Sequence, residues 1–88
     1  MRELRFKTNA IEDMEYWLKN DRKLLQKAIR ILKECQKMPF EGIGKPEPLK
    51  ENFKGLWSRR LDDEHRIVYG VTDDEIIVYQ MKGHYDDK

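Results

Sequence analysis

The chain holds one cysteine, Cys35, in 88 residues, so no disulfide can close within it. A lone thiol suits a reducing compartment. Its two histidines, His65 and His84, stand far apart and far from Cys35, and no spacing reads as a zinc motif. No Gly-rich phosphate loop or dinucleotide fingerprint is present, so neither a cofactor nor a metal is expected. The longest strictly apolar run, Ile76-Ile77-Val78-Tyr79, is too short for a membrane span or a secretory signal. A cytoplasmic protein with no membrane partner is therefore the expectation. There are no internal repeats, no low-complexity tract and no long linker, which predicts one domain over residues 1–88.

Charge is abundant, at 40% of the chain, and its formal balance of +1 conceals a segregation. Residues 19–60 carry twelve basic and five acidic side chains, whereas residues 61–88 carry three basic and eight acidic. A basic middle of this density is suited to a polyanion through phosphate neutralisation, and equally to a solvated helix face.

Arg2 to Lys7 alternates, with Leu4 and Phe6 on one side, and predicts a first strand. Asn9 with Glu12 three residues on predicts a capping box, followed by a short amphipathic helix with Ile11, Met14 and Leu18 on its apolar side and Trp17 beside them. Asp21 is suited to cap a second helix whose stripe is Leu24, Leu25, Ala28, Ile29, Leu32 and Cys35. Both stripes read as core packing. Pro39 ends this helix and opens a loop, 39–50, in which Pro46 and Pro48 bracket Glu47. A residue before proline is pushed toward extended geometry, so Glu47 sits on a stiffened backbone. A merely solvated Glu47 in a Pro-rich linker is the plainer reading.

The centre of the chain is a hairpin, Leu56–Asp62 and His65–Thr72, around the acidic turn Asp62-Asp63-Glu64. It places Arg59, Arg60 and Arg66 within eight residues. Strand alternation groups Ile67, Tyr69 and Val71 on one face and Arg66, Val68 and Gly70 on the other. If Trp57 and Leu61 point to the helices, Arg60 joins Arg66 on the open face and Arg59 serves elsewhere. A last strand, Glu75–Lys82, follows the Asp73-Asp74 turn, and Gly83 bends the chain into His84-Tyr85. The order predicts an α+β domain: an antiparallel sheet with two N-terminal helices packed on one face.

One acid/base set remains: Glu47, Arg60, Arg66, His84 and Tyr85. RNA can be cut without metal because its 2′-hydroxyl is itself a nucleophile. Such a site needs a base for that oxygen, cations for the phosphoryl transition state and an acid for the departing 5′-oxygen. Glutamate, arginine and histidine can fill these roles, although His84 and Tyr85 near a terminus read by themselves as surface residues.

Pro39-Phe-Glu-Gly-Ile-Gly-Lys-Pro-Glu-Pro-Leu-Lys50, Trp57-Ser-Arg-Arg60, Glu64-His-Arg-Ile-Val-Tyr69 and His84-Tyr85 closely resemble the YoeB/Txe toxins of bacterial toxin–antitoxin systems. Glu12, Asp13, Tyr16 and Trp17 extend the match in register over nearly the whole chain. The resemblance implies a RelE/ParE-like fold, also likened to microbial ribonucleases. It implies an endoribonuclease, an mRNA interferase, that cuts mRNA in the A site of the 70S ribosome and stops translation. On these residues it implies Glu47 as general base, Arg66 as phosphate stabiliser, His84 as general acid and Tyr85 as a residue shaping the site. It implies Lys50 and Arg60 as phosphate contacts. It also implies a homodimer, a YefM/Phd-like antitoxin, and contact with operator DNA only through the antitoxin complex.

The resemblance departs at the end, where Asp86, Asp87 and Lys88 follow the His-Tyr pair. Two further carboxylates against a phosphate site would repel RNA; a frayed end is the expected reading. The alternative function is that of a non-nucleolytic ParE-like toxin acting on DNA gyrase, for which the acid/base set would be irrelevant. A plain RNA- or protein-binding module without turnover is a third.

Overall fold

The structure, a computed structural model, describes residues 1–83. In chain order it comprises β1 (Glu3–Phe6), α1 (Thr8–Asn20), α2 (Arg22–Lys37), β2 (Glu47–Pro48), a 3₁₀ turn at Glu51–Phe53, β3 (Trp57–Arg60), β4 (Arg66–Val71) and β5 (Glu75–Gln80). The strands form one five-stranded sheet in the order β1-β5-β4-β3-β2. Two helices on one face of a sheet give the expected α+β class. The sheet is antiparallel from β2 through β5, but β1 pairs with β5 in parallel, with Leu4 opposite Ile76 and Phe6 opposite Val78. The mixed sheet follows from the connection. The helical hairpin of α1 and α2 carries the chain from β1 to β2 at the far edge, and the antiparallel steps through β3 and β4 bring β5 back beside β1, running the same way.

The N-terminus of α1 departs from the capping box expected at Asn9 and Glu12. Lys7 donates its N–H to the Val78 carbonyl at 2.9 Å, and the helix begins at Thr8 with no side-chain cap. Pairing with β5 therefore fixes where the chain leaves the sheet, ahead of the local cap signal. The earlier start also turns the helix. Ala10 and Trp17 are buried and Met14 packs against them, while Ile11 and Leu18, expected in the stripe, are 46% and 48% exposed. Asp21 does cap α2, accepting the Leu24 N–H at 3.1 Å. The buried face of α2 is Ala28, Ile31, Leu32 and Cys35; Ile29, expected among them, lies on the exposed side.

The core lies between the helices and the sheet. Trp17, Ile31 and Leu32 meet Leu61, Ile67, Tyr69, Ile76, Val78 and Met81, all at 1% exposure or less. Burying a side chain of this size contributes about 1.5–3 kcal/mol. Among the described residues no helix is long and apolar enough to cross a membrane.

The segment after α2 is more ordered than a loop. Glu47 and Pro48 pair with Ser58 and Trp57 as a two-residue edge strand. Proline suits an edge, where its missing N–H costs no ladder bond. The extended geometry imposed around Glu47 by its flanking prolines is thus used in the sheet.

Candidate active site

Register decides what faces what. Glu47 stands opposite Ser58, and Ser58 opposite Val68, so all three side chains share the face away from the helices. Arg60 stands opposite Arg66 in the next row. The Glu47 and Arg66 side chains meet across this diagonal, with Oε1 3.2 Å from Nη1. Glu47, Arg60 and Arg66 line a cleft of about 190 Å³ with Gly44 and Lys45. The Glu47 side chain is half exposed and the Arg66 side chain a quarter exposed, so the pair is open to exchange with a ligand. Among the described residues Arg60 makes no ion pair, and it sits exposed at the rim.

Of the residues expected at the site, Glu47, Arg60 and Arg66 are thus brought together. Lys50 is exposed at the entrance to the 3₁₀ turn and does not line this cleft. His84 and Tyr85, and the tail Asp86-Asp87-Lys88, lie outside the described residues.

Two residues lining the cleft, Lys45 and Gly44, were not among the expected site residues. Lys45 brings a third cation to the cleft from a left-handed backbone, φ 50°. Gly44 before it has φ +85°, and its carbonyl accepts the Arg60 N–H at 2.7 Å. A Cβ there would stand 2.6 Å from the Arg60 carbonyl oxygen. Only glycine lets the loop lie this close to β3.

Beneath the cleft lies Arg59, wholly buried on the helix side of β3. Alternation with Trp57 and Leu61 was the sign of this placement: a guanidinium aimed at the core must find partners. All five of its N–H groups do. Nε donates to the Tyr69 hydroxyl at 3.3 Å. One terminal nitrogen donates to Glu34 Oε1 at 2.7 Å and the Ile43 carbonyl at 3.1 Å. The other donates to the carbonyls of Met38 and Glu41, the latter at 2.8 Å. Glu34 also accepts the Ile43 N–H at 2.8 Å, and Tyr69 donates to the Pro39 carbonyl at 2.7 Å. This network ties down residues 38–43, from which Gly44, Lys45 and Glu47 follow.

The electrostatics agree with the geometry. The Arg59 side chain, and with it the Ile43 N–H, holds the Glu34 carboxyl below the usual glutamate range. Burial works to strip Arg59 of its proton, but bonds to Tyr69 and Glu34 outweigh it and the guanidinium holds its charge more firmly than usual. Burial pushes the Tyr69 phenol up to about 12. Burial likewise raises the Cys35 thiol, which makes it a poor nucleophile.

Gly83, which precedes His84 in the sequence, is anchored at this site. The Arg66 N–H donates to the Gly83 carbonyl at 2.9 Å, so the last described residue lies against the backbone of a cleft residue.

A family model described as the YoeB-like toxin of bacterial type II toxin–antitoxin system matches residues 6–85. The chain is 48% identical over 85 residues to Toxin RelK of Mycobacterium tuberculosis, covering 97% of this chain and 100% of that protein. It is 46% identical over 74 residues to Toxin YoeB of Escherichia coli K12, covering 84% and 88% of the two chains. Among solved structures, a YoeB/ParE toxin from Agrobacterium tumefaciens superposes with a TM-score of 0.90 at 36% identity, covering 94% and 99%. The YoeB dimer from Staphylococcus aureus gives 0.88 at 42%, covering 96% and 98%. A heterotetrameric YoeB–YefM toxin–antitoxin complex from the same organism gives 0.86 at 42%, covering 97% and 99%.

Proposed function

The chain belongs to the YoeB-like toxins of bacterial type II toxin–antitoxin systems, and from that premise we propose that it is a metal-independent, ribosome-dependent endoribonuclease that cuts mRNA in the A site and so stops translation. One observation carries the reading. A carboxylate and three cations of Lys45, Arg60 and Arg66 share one small open cleft on the sheet face away from the helices.

In the proposed reaction an mRNA phosphate enters between Arg60 and Arg66 and displaces the guanidinium of Arg66 from Glu47. The displaced pair is partly exposed, and such a pair is worth only about 0–1 kcal/mol, so little opposes the exchange. Glu47 then takes the proton of the 2′-hydroxyl. The 2′-oxygen attacks the adjacent phosphorus, and the Arg and Lys side chains stabilise the added negative charge of the pentacoordinate transition state. His84 gives a proton to the 5′-oxygen as the P–O5′ bond breaks, with Tyr85 shaping the site. The products are a 2′,3′-cyclic phosphate and a free 5′-hydroxyl. Lys50 contacts phosphate further along the strand, outside the cleft.

The proposed partners follow the relatives. The Staphylococcus aureus YoeB is described as a dimer and in a YoeB–YefM complex. We assign this chain a homodimer, a YefM/Phd-like antitoxin, operator contact through that complex alone, and a cytoplasmic place of action. Toeprinting on translating ribosomes tests the activity. Cuts at the A-site codon with cyclic phosphate ends are expected. Whole mRNA together with inhibited gyrase supercoiling would transfer the chain to the ParE-like, non-nucleolytic reading.

A further inference from the structure

The segment after β5 is held by side chains to which the family resemblance gives no role. Asp13 of α1 accepts the backbone N–H groups of Met81 and Lys82 at 2.9 and 3.0 Å, both on Oδ2. One residue later the Gly83 N–H donates to His65 Nδ1 at 2.6 Å. The Gly83 carbonyl accepts the Arg66 N–H. Gly83 has φ +80°, so it makes its bend in a backbone region that favours glycine.

His65 is fixed to serve as this acceptor. Its N–H donates to Asp62 Oδ1 at 2.7 Å, its carbonyl accepts the Leu61 N–H at 2.9 Å, and its ring meets Trp17 edge-on at 5.4 Å between centroids. The side chain is 12% exposed. An imidazole can accept at Nδ1 only as the neutral tautomer with its proton on Nε2. Nε2 faces the Glu64 carboxylate at 3.8 Å. The cleft around the ring also receives Asp21 and Asp62 carboxylates, the Tyr16 phenol and the Lys82 ammonium, whose Nζ stands 3.7 Å over the Tyr16 ring. Burial opposes ionisation of Asp62, but the N–H groups of His65 and Glu64 outweigh it and keep this carboxylate charged.

We propose that His65 is a positioning residue: its Nδ1 lone pair holds the Gly83 N–H beside Arg66 and so fixes the backbone at the residue that precedes His84 in the sequence. Occupying that lone pair with a proton sets an N–H against an N–H and releases the segment. The proposal therefore makes the anchor pH-sensitive: present with neutral His65 and lost as the ring charges. Its effect on cleavage rests on the ribonuclease reading; the anchor itself does not.

The test compares the full-length wild-type protein with His65→Asn and His65→Phe. Asparagine can offer Oδ1 where the histidine has Nδ1; phenylalanine keeps the ring and offers no acceptor. Amide hydrogen exchange at Gly83 reads the anchor, thermal unfolding reads the fold, and single-turnover mRNA cleavage on programmed ribosomes reads the site. Expected are Gly83 exchange faster by roughly tenfold in His65→Phe and recovery toward wild type in His65→Asn. The single-turnover rate constant at saturation should follow the same order, with the half-saturating ribosome concentration unchanged. In the wild type, the Gly83 amide resonance should move as the His65 ring titrates, and this coupling should vanish in His65→Asn. Unchanged Gly83 protection in a folded His65→Phe, or a Gly83 amide indifferent to His65 titration, overturns the proposal. The amide titration needs only wild type and His65→Asn, so misfolding of His65→Phe does not remove the test. A wild type that anchors Gly83 but cuts no RNA would sink the ribonuclease reading alone.

Discussion

Arg59 and Glu34 meet at 2.7 Å beneath the loop that leads to Glu47. The pair joins β3 to α2, and with Tyr69 it secures five backbone groups of residues 38–43: the carbonyls of Met38, Pro39, Glu41 and Ile43 and the N–H of Ile43. The stretch without regular structure between α2 and β2, nine residues from 38 to 46, is thereby held over its first six.

Arg59→Lys should therefore behave as a severe substitution. An ammonium has three donors and no planar fork, and it cannot serve five acceptors set around a guanidinium. A loss of about 3 kcal/mol is expected in denaturant unfolding, with a similar loss for Arg59→Met, which leaves Glu34 unpaired. Exchange of the Ile43 amide should accelerate in both. A stability within about 0.5 kcal/mol of wild type would contradict the network's role.

Stability should depend on acidity through Glu34. Its folded-state acidity is increased, so its contribution is fully present above the ordinary carboxylate range and is lost as pH falls through that range to the depressed value. Acid unfolding profiles of wild type and Glu34→Gln should converge at low pH and separate as pH rises. Parallel profiles would show that Glu34 is not the linked group.

Tyr69 gives the alkaline counterpart. Its phenol is raised to about 12 in the folded state, so its contribution is present below the ordinary tyrosine value near about 10 and fades as pH climbs toward 12. Tyr69→Phe leaves Arg59 Nε and the Pro39 carbonyl without a partner, at a cost of about 1–3 kcal/mol at neutral pH. The variant should also lose the alkaline slope, which a stability curve from pH 8 to 12 would reveal.

Gly44→Ala should damage site and fold together. The added Cβ meets the Arg60 carbonyl at 2.6 Å in a backbone conformation alanine resists. A destabilisation of more than about 1 kcal/mol is expected, together with loss of phosphate affinity as Lys45 and Arg60 move apart. Unchanged unfolding and unchanged binding of a non-cleavable RNA would refute the close approach.

Glu47→Gln and Arg66→Ala should separate chemistry from folding. Each is expected to lower single-turnover cleavage by about 10²–10⁴-fold. The exposed Glu47–Arg66 pair adds little stability, so unfolding should shift by no more than about 1 kcal/mol. Arg60→Ala and Lys45→Ala should weaken RNA binding and reduce its salt dependence. Cleavage undiminished in Glu47→Gln would remove it as the base.

Much of this architecture was legible because strand and helix periods are local. Alternation in 57–61 and 66–71 placed Arg60 and Arg66 on the open face and turned Arg59 inward, as the structure has them. Asp21 was readable as a cap because its partner Leu24 lies three residues away. The buried face of α1 lies one residue from the expected stripe, with Ala10 and Trp17 in place of Ile11 and Leu18, since its start is set by a hydrogen bond from Lys7 to Val78, remote in sequence. β2 was hidden for a similar reason: a two-residue strand has no period, and it exists only because Ser58 and Trp57 offer it an edge.

The sequence by itself determined which residue types can do chemistry and which face of its own strand each one takes, because a side chain's alternation follows from the backbone it is attached to. Only the tertiary structure decided that Glu47 meets Arg66, because β2 must lie in register with β3 for the two to share a face, and a slip of one residue would turn Glu47 toward the helices. It likewise decided that Arg59 finds Glu34 on α2 and that His65 finds Gly83, since a hydrogen bond forms between neighbours in space, wherever the chain has placed them.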